Sequence, residues 1–360
     1  MERIKNIIIS TSFIIVLLLI LLINLFSENQ TISKTERRKL AEFPKVNLEN
    51  LLKGKVAKEF DEYVVDQFWE RDFFRKIKYF WSINIFKQKD DNKYFEKDGA
   101  IYKIEYPLKE NNVEKTANKI LEIYDKYLDG MKVYYAIIPD KNYYLNSDDY
   151  LVMDYEKMKK IVNGKLSKLN YIDIWNELEL KDFYSTDLHW KQECLGNVVN
   201  KIEVEMGISV TSNEMYEKEN VGKFYGIYYG QILTDVDADD MYILTNNNIK
   251  ACSTYNYETN KTGSVYDKKE TIDKYDIYLS GATPLITIDN SNAKNEKELI
   301  LFRDSFGSSI APLLIENYKK ITVIDLRYMS SDLLSRYVEF DNQDVLFLYS
   351  SLVLNQNILK

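Results

Sequence analysis

The longest apolar block comes first. Residues Ile7 to Phe26 read IIISTSFIIVLLLILLINLF, uncharged and interrupted only by Ser, Thr and Asn. At a helical rise of about 1.5 Å per residue, such a run crosses a hydrocarbon core of roughly 30 Å. Arg3 and Lys5 favour a cytoplasmic N-terminus, although Lys34, Arg37, Arg38 and Lys39 on the far side dilute that asymmetry. The run is long for a cleaved signal peptide, and SENQT offers no small-x-small cleavage site, so an uncleaved anchor is expected. Nothing later in the chain is apolar for long enough to cross again. The expected organisation is a cytoplasmic tail 1–6, a membrane span 7–26, a polar stalk 27–55 and a folded domain 56–360.

Within that domain, Phe60, Val64 and Phe68, then Phe73, Ile77 and Phe80, recur at helical spacing. They predict two helices broken near Glu70–Asp72. Lys97-Asp98-Gly99-Ala100 predicts a turn leading into a short strand through Ile101 and Tyr102. A regular alternation follows: helix Val113–Tyr127, buried strand Val133–Ile138 stopped by Pro139, helix Tyr155–Leu169 and strand Tyr171–Trp175. After Trp190 a helix places Leu195, Val198, Val199 and Ile202 on one face.

From about 211 to 294 the rhythm breaks into a Tyr-, Asn-, Gly- and Asp-rich stretch with short alternating runs such as Tyr275–Leu279, expected to be an irregular insertion with a few strands that forms a lid or rim over the site. It resumes with strand ELILF from Glu298, helix Ser308–Tyr318, strand ITVIDL, helix Asp332–Phe340 and strand DVLFLY. Short unbroken apolar strands alternating with helices indicate a mostly parallel sheet covered on both faces. The fold class is therefore α/β, a three-layer α/β/α sandwich with its site at the carboxyl ends of the strands.

Composition narrows the chemistry. The net charge is −8 with no long basic run, which argues against nucleic acid as partner. Tyrosine is abundant at 29 residues, but Ile, Lys and Asn are enriched with it, so most tyrosines reflect compositional bias rather than sugar-stacking platforms. Cys194 and Cys252 do not form a C-x-x-C pair, and one histidine cannot complete the usual zinc ligand sets. Spacing leaves a disulfide open; none is expected, nor any metal or cofactor.

Two elements carry chemistry. In Leu301-Phe302-Arg303-Asp304-Ser305-Phe306-Gly307, a serine ends a parallel strand and begins a helix, where backbone N–H groups face a developing oxyanion. Gly307 would allow close approach of substrate. The competing reading is Ser305 as a helix cap. In Ser185-Thr186-Asp187-Leu188-His189-Trp190, an Asp two residues before a His can share one side of an extended segment and orient the imidazole. Asp187 as a plain cap, or His189 as a satisfied structural histidine, is the competing reading. The pair strengthens both. A serine nucleophile needs a base, and His189 is the one histidine in the chain.

The Asp-x-His-Trp element (Asp187, His189, Trp190) and the Asp-Ser-Phe element (Asp304, Ser305, Phe306) resemble SGNH-hydrolase-like proteins of bacterial exopolysaccharide acetylation. These are the AlgX/AlgJ-like group and the related proteins called DHHW. Further segments are similar: Arg38-Lys39-Leu40 with Phe43-Pro44, Asp66-Gln67-Phe68 with Arg71-Asp72, Pro139-Asp140-Lys141, and Asp325-Leu326-Arg327-Tyr328. This chain has Leu188 where the DHHW name implies a first histidine, as AlgX/AlgJ-like relatives also lack one there. It ends at Lys360 soon after the last strand, so no appended carbohydrate-binding domain is expected.

The resemblance implies that Ser305 carries an acetyl group as an ester and passes it to a sugar hydroxyl. His189 would act as base, Asp187 would hold the imidazole, and the Ser305 N–H would be an oxyanion donor. Arg327 and Tyr328 would add donors or bind substrate, or else form a surface ion pair and an edge aromatic. It also implies an extracytoplasmic O-acetyltransferase on a single-pass membrane protein, with a polysaccharide acceptor and a multi-spanning membrane acyltransferase as donor. The same three residues would serve a glycan acetyl-esterase. A non-catalytic scaffold or glycan-binding protein would instead leave them apart in space.

Overall fold

The computed structural model describes residues 2–147 and 149–360, and the chain divides into two compact units. One comprises the residues up to Asn92 with Tyr229–Asp235; the other comprises Lys93–Tyr228 with Val236–Lys360.

The first unit begins with α1 (Glu2–Phe26), a single helix with no buried residue and the one described helix long and apolar enough to cross a membrane. A two-residue hairpin then pairs Ile32–Ser33 with Arg38–Lys39. Helices α2 (Lys55–Asp66) and α3 (Arg71–Phe80) follow, the second prolonged by a π-helical turn, Trp81–Ile85. Glu70, at φ +51°, separates them where the sequence placed the break. Several segments singled out by resemblance meet here. Arg38 forks onto Asp66 at 2.7 and 2.6 Å and holds that carboxyl below its ordinary pKa. Arg71 pairs with Glu36 at 2.8 Å, and the Gln67 amide donates to the carbonyls of Gln30 and Ala41.

The second unit is built on an eight-stranded sheet. Its strands, in chain order, are β1 (Val133–Ile138), β2 (Asn170–Ile172), β3 (Ser253–Asn256), β4 (Lys261–Ser264), β5 (Leu285–Asp289), β6 (Glu298–Arg303), β7 (Lys320–Ile324) and β8 (Asp344–Ser350). They lie side by side as β4-β3-β5-β7-β6-β8-β1-β2. The five from β7 to β2 run parallel, and β5, β3 and β4 extend one edge antiparallel.

Side chains alternate across the sheet and split into two cores. Leu299 and Leu301 of β6 and Leu346 and Leu348 of β8 face one; Ile300, Phe302, Val345 and Phe347 face the other. The second core is covered by α4 (Glu110–Ile123) and α5 (Tyr155–Lys165), through Val113, Ile120, Met158 and Val162. The first is covered by α6 (Gly196–Met206) and α7 (Ser305–Leu314), through Val198, Ile202, Ile310 and Leu313. This is the three-layer α/β/α sandwich.

Three local expectations shift. Residues 211–294 contain a hairpin, Glu217–Phe224 with Asp239–Thr245, and the strands β3, β4 and β5. The few strands expected in this stretch are therefore present, and three of them join the main sheet; β4 could not be picked out because it is wholly exposed and its Lys-Thr-Gly-Ser shows no apolar alternation. Helix α7 starts at Ser305, not Ser308, because Asp304 accepts the Phe306 N–H and caps it there. The helix expected over Asp332–Phe340 is a 3-10 turn, Ser331–Arg336. Leu334 and Val338 are its main core anchors, too few to offset helix nucleation.

Candidate active site

Two loops at the carboxyl ends of the sheet strands come together. The first is the β6–α7 elbow. The Asp304 carboxylate accepts the Phe306 N–H at 3.0 Å with one oxygen and the Ser350 N–H, at the end of β8, at 2.8 Å with the other. The elbow is thereby fixed to its neighbouring strand. Ser305, first residue of the helix, is half-buried with its hydroxyl beyond the strand end.

The second loop runs from Phe183 to Trp190, pinched by the Tyr184 N–H donating to the His189 carbonyl at 3.0 Å. It is a turn rather than the extended segment expected from the Asp-x-His spacing. Asp187 accepts the His189 N–H at 3.0 Å, an Asx-type turn that brings the two side chains together. His189 Nδ1 lies 2.6 Å from Asp187 Oδ1, and Nε2 lies 2.8 Å from Ser305 Oγ. With Asp187 fully buried and acting as acceptor, the network places the proton on Nδ1 and turns the Nε2 lone pair toward the hydroxyl. Among the described residues the sequence singled out, these three form one chain of hydrogen bonds.

The supports of the second loop come from far along the chain. Asp187 Oδ2 accepts the Ile227 N–H at 2.7 Å. Gly226 lies so close that a Cβ there would sit 2.2 Å from the Asp187 Cβ, so only glycine fits without a shift. Asp239 accepts the N–H groups of Ser185 and Thr186 and the Thr186 hydroxyl, at 2.8, 2.9 and 2.7 Å. The Tyr275 ring stacks on the imidazole, centroids 3.9 Å apart and planes 12° from parallel, while its hydroxyl donates to Ser309 Oγ. Trp190 ties the loops together, its indole N–H lying 3.1 Å from the Phe306 carbonyl and 2.8 Å from Ser309 Oγ.

Beneath lies the Asp140-Lys141 pair at the end of β1. Lys141 Nζ reaches the carbonyls of Ile101, Tyr184, Ser185 and Asp187 at 2.6 to 3.3 Å, gathering the base loop from below. Burial pushes this amine down to about 7, against the opposing pull of Asp187 and Asp239. Burial pushes Asp140 up to about 6, although Tyr155, Ser351 and the Asn142 N–H donate to it.

The remaining sequence candidates sit around the elbow. Arg327 directs Nε and Nη2 onto Asp325 at 2.9 and 2.7 Å. Asp325, fully buried, also takes Arg303 Nη1 at 3.0 Å. Arg303 Nε and Nη2 have no partner among the described residues, and burial lowers its pKa. Tyr328 is exposed, its ring 5.4 Å from the Arg327 guanidinium carbon. At Gly307 the close neighbour is Arg303, whose Cβ would lie 2.4 Å from an added Cβ. Sequence reasoning passed over Gly226, Ile227, Asp239 and Tyr275, because no local motif marks them; the Pro139-Asp140-Lys141 segment was the one pointer to Lys141.

An aspartate-oriented imidazole on a serine at a strand-to-helix elbow can remove the serine proton and return it to a leaving group. Among protein-family models none matches the chain, and no curated protein matches it in sequence. Solved structures do match in shape. A DHHW family protein from Eubacterium siraeum aligns at TM-score 0.63 and 20% identity, over 75% of this chain and 97% of that one. Bacillus cereus PatB1 with a sulfonyl adduct aligns at TM-score 0.58 and 18% identity, over 74% and 96%. A second structure of Bacillus cereus PatB1 aligns at TM-score 0.56 and 19% identity, over 75% and 98%. The likeness first seen in two short motifs thus extends to the architecture, and this chain has the fold shared by the DHHW family protein and PatB1.

Proposed function

We propose that this protein is a membrane-anchored, extracytoplasmic O-acetyltransferase that moves acetyl groups onto hydroxyls of a surface or secreted polysaccharide. The observation that carries the acyl-transfer chemistry is the relay Asp187–His189–Ser305, at 2.6 and 2.8 Å. His189 Nε2 takes the Ser305 proton as Oγ attacks the acetyl carbonyl. The proton passes to the donor's leaving group as the tetrahedral intermediate collapses to acetyl-serine. A sugar hydroxyl then gives its proton to His189 and attacks the ester; the Ser305 oxygen leaves and recovers that proton. The Phe306 and Gly307 N–H groups are engaged by Asp304, so the Ser305 N–H is the backbone donor assigned to the oxyanion.

Acetylation, the polysaccharide and a multi-spanning acyltransferase as acetyl donor are what the resemblance contributes to this reading. Helix α1 would hold the domain beside such a donor, on the outer side of the membrane.

The test has two readouts. A sulfonyl fluoride should add one sulfonyl group, mapped to Ser305 by mass spectrometry, and none to Ser305→Ala. An activated acetyl ester with a glycan acceptor should yield acetylated glycan, falling at least about 10³-fold in Ser305→Ala. Acetate released into water regardless of acceptor would make the protein an esterase. No difference between wild type and variant would leave a scaffold.

A further inference from the structure

In the first unit, α3 and its π-helical extension leave a continuous apolar stripe uncovered. Trp69, Phe73, Ile77, Phe80 and then Trp81 and Ile85 fall on one side at helical spacing, with Phe80 and Trp81 adjacent, and all are exposed, with Trp69 at 42% and Trp81 at 49%. The other side of α3 is taken up by polar contacts within the unit. Arg71 and Arg75 turn to Glu36, and Arg75 also donates to the Gly230 carbonyl. The stripe is therefore the free side of a helix whose remaining surface is already in use. Scattered exposed apolar residues need no explanation; a run of six along one helix, its lead-in turn and its extension does.

Two observations identify what covers it. The Trp69 N–H donates to Asn24 Oδ1 at 2.8 Å, and Asn24 lies two residues before the end of α1. The start of the stripe is thus held at the level where the membrane-spanning helix leaves the hydrocarbon. The segment also carries cations: of Arg71, Arg75, Lys76, Lys78, Lys87 and Lys89, the two arginines pair with Glu36, Lys76 with Asp235 and Lys78 with Asp91, while Lys87 and Lys89 make no ion pair among the described residues. A helix with Trp and Phe on one side, cations about it and a fixed position at a bilayer surface has the makings of an interfacial element. Its apolar side would sit in the headgroup–acyl boundary.

We infer that α3 and the turn Trp81–Ile85 lie in the surface of the membrane that α1 crosses, bound by apolar burial and by anionic headgroups. This rests on the reading of α1 as an uncleaved anchor. It adds a second attachment, so that the first unit is seated on the bilayer rather than hung from it.

The chain carries its own probes. Of its four tryptophans, Trp69 and Trp81 are exposed while Trp175 and Trp190 are buried. Full-length protein is reconstituted into vesicles of equal parts phosphatidylcholine and phosphatidylglycerol, with or without bromine on the acyl chains. Bromolipid should quench part of the fluorescence, and that quenching should be lost in the Trp69→Phe/Trp81→Phe variant, which keeps an aromatic at both positions. It should also weaken in pure phosphatidylcholine. Resistance to alkaline carbonate extraction reports α1 separately. Protein that resists extraction but shows the same quenching in wild type and variant would overturn the interfacial helix and leave the anchor standing. Shielding of both tryptophans from iodide without bromolipid quenching would put a protein on the stripe and equally overturn it. Protein that carbonate removes would bring down the anchor, and this inference with it.

Discussion

The two loops that meet at the hydroxyl of Ser305 are held in opposite ways. The β6–α7 elbow is a local device: a strand ends, Asp304 caps the next helix, and the same carboxylate catches the Ser350 N–H of the neighbouring strand. Its geometry follows from consecutive residues and sheet register. The Phe183–Trp190 loop has almost no regular structure of its own. It is held by Ile227 and Gly226 against Asp187, by Asp239 against Ser185 and Thr186, and by Tyr275 against the imidazole. The candidate nucleophile is thus placed mainly by one strand–helix junction and its sheet neighbour, whereas the candidate base, on a turn, needs tertiary contacts from distant segments.

That contrast can be broken at three points. The largest effect is expected from Gly226→Ala. The new Cβ has no room beside Asp187 and must displace it, and a shift of about 1 Å at an orienting group costs roughly 10²-fold in rate. Acetyl transfer should fall by that factor while circular dichroism shows the fold retained; unchanged transfer would mean the loop adapts freely.

Breaking the elbow should instead appear in stability. Asp304→Ala removes the α7 cap and leaves the buried Ser350 N–H without its acceptor, a loss of about 2–4 kcal/mol in urea unfolding. A loss under about 0.5 kcal/mol would show that the strand–helix junction holds without its carboxylate.

The smallest effect belongs to Tyr275→Leu. Removing the stacked ring should lower kcat roughly fivefold to tenfold, equivalent to about 1 kcal/mol of aromatic contact, with KM little changed. A change confined to KM would place Tyr275 in substrate binding rather than in holding the imidazole.

The same contrast explains what could be read from the sequence. The parallel strands β1, β6, β7 and β8 announce themselves as short apolar runs, and a serine two residues after the end of β6 stands beyond its carboxyl end. Asp187 and His189 were legible because they are two residues apart and the chain has no second histidine. The reason given for their alignment was wrong in detail: an Asx-type turn, not an extended segment, joins them. Gly226, Asp239 and Tyr275 act across 36 to 85 intervening residues, where nothing local ties them to His189. The antiparallel edge of β3, β4 and β5 lay in a stretch where a few strands were expected but could not be delimited or paired. Exposed and polar strands such as β4 carry no burial pattern, and sheet pairing alone determines their place.

Having one histidine has a spectroscopic consequence. A protein labelled with nitrogen-15 only in histidine would report on the candidate base and on nothing else. The Nδ1 proton shared with Asp187 across 2.6 Å is short enough to resonate far downfield. A single well-resolved signal would therefore follow the candidate base through sulfonylation of Ser305 and through addition of a glycan, with no assignment problem to solve.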